Sequence, residues 1–287
     1  MTDNLPQDLF KLALEKIWGA DRQREQKIIF EADSSFHHIT VADNGDFRTM
    51  YFGSEARESE TSVLLSNLEA PVFEYPGLMF LSLALGPLNS SVLMLGLGGG
   101  FIPMLFKKYL PKHQLTVVEV DPMVVEVAER FFGFSPGQNV ELVVEDGYKF
   151  IADCRPGAYD QIWLDAFGGY YIPKHLATVE FLELICLKLP PKGLLAQNLH
   201  QTAHSQYEKQ LRRTYGCFGR PPLVFSGVRS ANSVVISIND LEAPLAKDFR
   251  GVLEAVKAFQ TQVGPYDLTQ EANKLKKPQP FASPFHK

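Results

Sequence analysis

Residues 92–101 read Val92-Leu93-Met94-Leu95-Gly96-Leu97-Gly98-Gly99-Gly100-Phe101. A short apolar run that breaks into glycines is the pattern of a buried strand feeding a tight loop and then a helix. Glycine accepts positive φ and lets the backbone approach a ligand, and the helix that follows offers unpaired N–H groups at its start. A dinucleotide fingerprint would place its third glycine at position 101, where Phe101 stands, which argues against a pyrophosphate. Gly96, Gly98 and Gly100 are therefore candidate binding residues for a nucleoside whose substituent lies along the loop.

Outward from this loop the pattern alternates. Downstream come a helix through Lys108, a strand at 115–120, a helix at 123–132, a strand at 140–144 and a short helix from Tyr148. A strand at 159–164, a helix at 179–189 and a strand at 193–198 follow. Five β–α steps with short apolar strands predict a mostly parallel sheet covered on both faces. After a helix near 205–215, the runs 222–226 and 233–238 stand without a helix between them and predict a closing antiparallel hairpin. An amphipathic helix through Leu245 and Phe259 ends near Gly264, and a proline-bearing tail over 265–287 predicts irregular chain. Its Lys274, Lys276 and Lys277 read as solvated surface. This strand order is that of a Rossmann-like α/β fold, the S-adenosylmethionine-dependent methyltransferase fold with a seven-stranded mixed sheet.

Upstream, Leu5, Leu9, Phe10, Ala13, Ile17 and Trp18 form a helical stripe, and two β-like runs at 36–41 and 47–52 flank Asp43-Asn44-Gly45-Asp46. Asn-Gly tolerates the positive φ that hairpins need. The predicted division is a helix and small antiparallel β domain over 1–74, a nucleoside-binding α/β domain over 75–264, and the tail.

Three acids fall at the ends of successive parallel strands, where open α/β sheets bind ligands. Glu119 can accept hydrogen bonds from both hydroxyls of a ribose. Asp121 precedes Pro122 and reads as a helix N-cap. Asp146, followed by Gly147, either accepts a bond from an adenine amino group or caps the next helix. Asp165 is the candidate to take a proton from an attacking amine. A carboxylate-lined cleft suits a permanently cationic sulfonium. Gly168-Gly169 with Tyr170-Tyr171 reads as a flap offering aromatic contacts. His200, past Gln197-Asn198-Leu199, reaches the same edge, and His37 and His38 alternate faces, so at most one points inward. The histidine and cysteine spacings predict no metal site.

These residues resemble the polyamine aminopropyltransferases, the spermidine synthase-like family, over roughly residues 30–240. The resemblance runs through Ser34-Ser35-Phe36-His37-His38-Ile39, the glycine loop, Glu119-Val120-Asp121, Asp146-Gly147 and the Asp165 loop. It implies that Glu119 binds ribose, that Asp146-Gly147 bind adenine, that Asp165 accepts the proton, and that the chain forms a homodimer. His37 stands at the family's entrance glutamine and Tyr75 at the tyrosine of its Tyr-His-Glu segment, here Tyr75-Pro76-Gly77. Two family aspartates are replaced: Gly99 stands where one holds the donor's amino group, and Gly168 where another holds the amine substrate. The nucleoside half is kept while most amine-binding groups are missing.

Composition narrows the classes. Apolar residues make up 45% of the 287 and charged ones 21%, the proportions of a globular chain. A formal charge of −5 argues against nucleic acid or an anionic membrane as partner. The uncharged run from Tyr75 to Phe106 is cut by Gly86-Pro87, Asn89-Ser90-Ser91 and the glycine loop into pieces shorter than a membrane span. Three scattered cysteines predict free thiols, and no basic-then-apolar leader is evident, so the expected compartment is the cytoplasm. The leading expectation is transfer of an aminopropyl group from decarboxylated S-adenosylmethionine to a small-molecule amine or other nucleophile. The alternatives are methyl transfer from S-adenosylmethionine, a non-catalytic nucleoside-binding relative and, more remotely, a nicotinamide-dependent oxidoreductase. Candidate acceptor-side residues are Tyr75, Tyr170, Tyr171 and His200.

Overall fold

The computed structural model describes residues 26–53, 58–167, 172–202, 204–228, 230–240 and 249–276. The helical stripe at 5–18 and the residues Gly168, Tyr170 and Tyr171 lie outside them.

The glycine loop leaves the strand at the centre of a seven-stranded sheet. That strand, β5 (Ser91–Leu95), has β6 (Gln114–Glu119) on one side and β8 (Gln161–Leu164) on the other, all parallel. Beyond β6 lies β7 (Val140–Val144), and beyond β8 lies β9 (Leu194–His200). β11 (Asn232–Ile238) then pairs antiparallel with β9, and β10 (Leu223–Ser226) pairs antiparallel with β11 at the edge. The closing hairpin is thus inserted in reverse, with its second strand inside.

Alternation along β5 sorts the core into two layers. Val92 and Met94 join Leu115, Val117 and Trp163 on one face, under α1 (Tyr75–Leu85), α2 (Phe101–Tyr109), α3 (Pro122–Phe132) and α7 (Phe249–Phe259). Leu93 and Leu95 join Val118, Ile162 and Leu195 on the other, under α4 (Gly147–Asp153), α5 (Val179–Lys188) and α6 (His204–Phe218). Successive strand residues point to opposite faces, so a strand covered on both sides must be apolar throughout. The uncharged run over 75–106 is accordingly a buried helix, a turn, the central strand, its loop and the start of α2. No helix among the described residues is long and apolar enough to cross a membrane.

The N-terminal unit is larger than the expected hairpin. Among the described residues it is a four-stranded antiparallel sheet in the order β1 (Lys27–Asp33), β2 (His38–Asn44), β3 (Phe47–Phe52) and β4 (Glu58–Leu64). The turn between β2 and β3 is present, with Gly45 at φ +60°. β2 starts at His38, not Phe36, because the Ser34 hydroxyl accepts the N–H groups of Phe36 and His37 and holds them in a turn.

The expectation of an irregular tail from residue 265 is also corrected. β12 (Gln262–Val263) pairs antiparallel with β13 (Tyr266–Asp267), and α8 (Leu268–Ala272) follows. Tyr266, Leu268 and Ala272 are buried in the same core as α1. Asp267 caps α8 by accepting the Thr269 N–H at 2.8 Å, and the Tyr266 hydroxyl donates to the Phe73 carbonyl at 2.7 Å. Lys274 is not solvated surface. Its Nζ lies 3.2 Å from Glu74 and 2.8 Å from Glu271, and all three side chains are nearly buried.

Candidate active site

Strand order reverses between β5 and β8, the point at which a doubly wound sheet opens a crevice at its carboxyl edge. A cavity of about 1270 Å³ lies there, roofed by the N-terminal sheet through Thr49, Tyr51, Phe52 and the run from Ser59 to Ser62.

The glycine loop forms its floor. Gly96, Gly98 and Gly100 have φ of +98°, +54° and +77°, the left-handed region that favours glycine. A Cβ at Gly96 would also collide with the Asp165 carbonyl, so the loop and the Asp165 turn can pack together only without a side chain there. Gly99 is closed off differently. Its N–H donates to Thr61 Oγ1 at 2.8 Å, and a Cβ would meet Thr61 Cγ2 at 2.5 Å. The side chain that the resemblance implies at this position has its space filled by β4.

Glu119 ends β6 and is buried. One carboxylate oxygen accepts the Leu97 N–H at 2.9 Å and the other accepts the Asp121 N–H at 2.9 Å. It therefore ties the glycine loop to the β6 edge, and the carboxylate keeps acceptor capacity beyond these bonds. Burial pushes its pKa up, and the backbone N–H groups of Asp121, Leu97 and Val120 pull against that rise. Asp121 is the expected N-cap, accepting the Met123 N–H at 2.9 Å. It also accepts the Ser34 hydroxyl at 2.5 Å and faces His37 Nδ1 at 3.3 Å. His37 lines the cavity with its ring stacked on Phe52, centroids 4.1 Å apart, while His38 turns outward to Asp33 and Glu31.

Asp146 caps α4 through the Lys149 N–H at 2.9 Å, and its other oxygen faces His175 Nε2 at 3.0 Å. Asp146, Gly147 and His175 all line the cavity. The cap is present, and the cavity position leaves the nucleoside role open to it.

Asp165, just past β8, is the acid most altered by its surroundings. Enclosure by protein pushes its pKa to about 7, against hydrogen bonds from Asn198 and Tyr75 that draw it down. The Asn198 amide donates at 2.9 Å and is itself held by Asn232 at 3.0 Å. Tyr75, at the start of α1, is buried, and its own pKa is raised by that burial and by the charge of Asp165. His200 ends β9 on the cavity wall, with Nδ1 2.6 Å from Thr202 Oγ1, and burial lowers its pKa.

The structure thus brings Gly96, Gly98, Glu119, Asp146, Gly147, Asp165, His37, Tyr75 and His200 to one cavity, while Gly100 stands at the start of α2 against Phe134. Sequence reading missed Thr61, Glu60, His175 and above all Asn198. The signal for Asn198 was the pair Gln197-Asn198 inside an otherwise apolar strand, since a polar group there needs a partner.

Residues 77–237 match the Spermine/spermidine synthase domain family. A polyamine aminopropyltransferase of Vibrio vulnificus is 30% identical over 258 residues, 87% of this chain and 86% of that protein. The eEF1A lysine and N-terminal methyltransferase of Homo sapiens is 32% identical over 120 residues, which is 38% of this chain and 17% of its own length. The crystal structure of spermidine synthase from Thermotoga maritima superposes with a TM-score of 0.69 at 18% identity, covering 88% of this chain and 85% of that one. The last likeness bears on the fold; the two relatives by sequence are both transferases.

Proposed function

The chain belongs to the spermine/spermidine synthase family, and from that premise we propose that it transfers an aminopropyl group from decarboxylated S-adenosylmethionine to an amine. The observation that carries this reading is the sign of the charge in the cavity. Glu60, Glu119, Asp146 and Asp165 line it, and among the described lining residues there is no lysine or arginine. A decarboxylated donor brings a sulfonium and an ammonium and no anion. The intact donor adds a carboxylate, and a like-charge contact at 4 Å costs about 4 kcal/mol at an effective dielectric of 20.

In this reading the Gly96–Gly100 backbone and Glu119 hold the nucleoside, Glu119 through its remaining acceptor capacity to the ribose and Asp146-Gly147 at the base. His37 closes the entrance side. The amine nitrogen attacks the carbon bonded to sulfur. The new C–N bond forms as the C–S bond breaks, its electron pair stays on a neutral thioether, and the nitrogen's proton passes to Asp165. Asn198 and Tyr75 keep the Asp165 carboxylate oriented, and a pKa of about 7 suits a group that must be ionised before the step and protonated after it. Alignment of the two reactants supplies much of the acceleration.

Methyl transfer is the second reading, favoured by Gly99. Where the resemblance implies a carboxylate for the donor's amino group, the loop presents a bare backbone under Thr61. Parallel calorimetric titration of both donor forms separates the two, combined with detection of methylthioadenosine or S-adenosylhomocysteine after incubation with amines. The expected result is at least tenfold tighter binding of the decarboxylated donor and methylthioadenosine as product. Preference for the intact donor, with S-adenosylhomocysteine formed, would replace the first reading by the second.

A further inference from the structure

A second cavity, of about 380 Å³, opens beside the first and shares Phe167 and His200 with it. Its charge is the opposite. Lys174, Lys209 and Arg213 line it, and among its described lining residues there is no aspartate or glutamate. Lys174 belongs to the short 3-10 turn Lys174–Ala177, and the other two cations lie four residues apart on α6, hence on one helix face. Arg213 is anchored, its Nη1 donating to the Ala177 carbonyl at 2.5 Å, so the guanidinium is held at the wall. Lys174 and Lys209 are exposed and free to swing toward a bound group.

The two cavities meet at the reacting end of the site. Phe167 follows Asp165 by two residues, and His200 follows Asn198, which holds Asp165, by two along β9. One small molecule can therefore place an amine at the acidic wall and its other end among the cations. A diamine fits the first half of that description and is repelled by the second. The glycine at position 168, where the resemblance implies an aspartate for an acceptor's ammonium, fits the same division.

We propose that the second cavity takes an anionic group, a carboxylate or a phosphate, carried by the acceptor itself, so that the acceptor is an amino acid-like or phosphorylated amine and not a simple diamine. The Lys174, Lys209 and Arg213 cations neutralise the anion. The transfer step is unchanged: the acceptor's amine forms the C–N bond and gives its proton to Asp165. This inference rests on the aminopropyl-transfer reading for its chemistry, but the binding it requires is measurable without turnover.

The test is calorimetric titration of 4-aminobutanoate, 3-aminopropyl phosphate and 1,4-diaminobutane into the full chain, each with and without methylthioadenosine. The charge-reversed double variant Lys174→Glu/Lys209→Glu is titrated alongside, and methylthioadenosine release from the decarboxylated donor is followed with each amine. One of the two anionic amines is expected to bind at least tenfold more tightly than the diamine, the carboxylate and phosphate arms showing which anion is preferred. The double variant should abolish that preference while binding methylthioadenosine as the parent does. Equal or tighter binding of the diamine, no binding of either anionic amine, or a preference that survives charge reversal would overturn the proposal. Failure of the donor reading looks different: the decarboxylated donor and methylthioadenosine would not bind, while the acceptor titrations without them still report on the second cavity.

Discussion

At the scale of single residues, Asp165 couples function to stability. Its carboxyl titrates near pH 7 in the fold, against 3.8 for an ordinary aspartate. Below pH 3.8 both folded and unfolded chains carry the proton, and the contribution of Asp165 to stability is at its full value. As pH rises toward 7 the unfolded chain ionises first, so stability falls through that window. Asp165→Asn should therefore unfold at a higher temperature than the parent at about pH 8, with the gain vanishing at about pH 3. The same variant should keep donor affinity and lose turnover by roughly 10²–10⁴-fold, the usual contribution of a positioned base. A parent kcat/KM that falls on the acid side of about pH 7 marks the ionised carboxylate as the working form. Asn198 lowers that pKa, so Asn198→Leu should move the acid limb to higher pH; a limb that stays in place would detach Asp165 from it. The acids at the strand ends were legible in the sequence because a parallel strand delivers its last residue to a known edge. Asn198 was not, because its role depends on β9 lying beside β8, which only the sheet order reveals.

At the scale of elements, β4 shows why a functional strand escapes sequence reading. Ser59, Glu60, Thr61 and Ser62 line the cavity, so the side that would elsewhere be apolar is polar, and the period-2 signal disappears. β1 escapes for a different reason: it is a sheet edge, largely open to solvent. The consequence for the site is the contact between Thr61 and Gly99. Restoring the carboxylate that the resemblance implies, by Gly99→Asp, drives a Cβ to 2.5 Å from Thr61 Cγ2 and 3.1 Å from Phe132 Cγ. Overpacking of this kind costs about 1–3 kcal/mol. Thr61→Gly removes the obstruction but gives up the hydrogen bond to the Gly99 N–H. Denaturant unfolding of the two single variants and the double should show the double more stable than the sum of the singles predicts. Strict additivity would mean that Thr61 is not what excludes a side chain at Gly99.

At the scale of the whole molecule, the site depends on a segment remote in sequence. The seven strands and their two helical layers were legible because buried parallel strands are apolar throughout and helices carry a stripe. The chain after Gly264 was not, because its prolines and lysines resemble a solvated tail while its apolar residues, Tyr266, Leu268, Ala272 and Leu275 among the described ones, are too sparse to show a period. Yet these residues pack on α1, and Lys274 sits between Glu74 and Glu271. Glu74 precedes Tyr75, which faces Asp165, and its second oxygen accepts the N–H of Ser230 on the cavity wall at 3.2 Å. This strap, residues 266–274, thus holds two walls of the cavity from behind. Lys274→Met leaves two carboxylates together in a nearly buried position, a loss of about 3–5 kcal/mol. Adding Glu74→Gln removes one of those charges and should return part of the stability, because the penalty lies in the uncompensated carboxylates. If the strap also sets the position of Tyr75, the double variant should regain its melting temperature more fully than its kcat, since a neutral amide in place of the Glu74 carboxylate cannot restore the ion pair that anchors the start of α1. Recovery of both in equal measure would limit Lys274 to stability, and no recovery of either would show that the charge left on Glu74 is not the source of the loss.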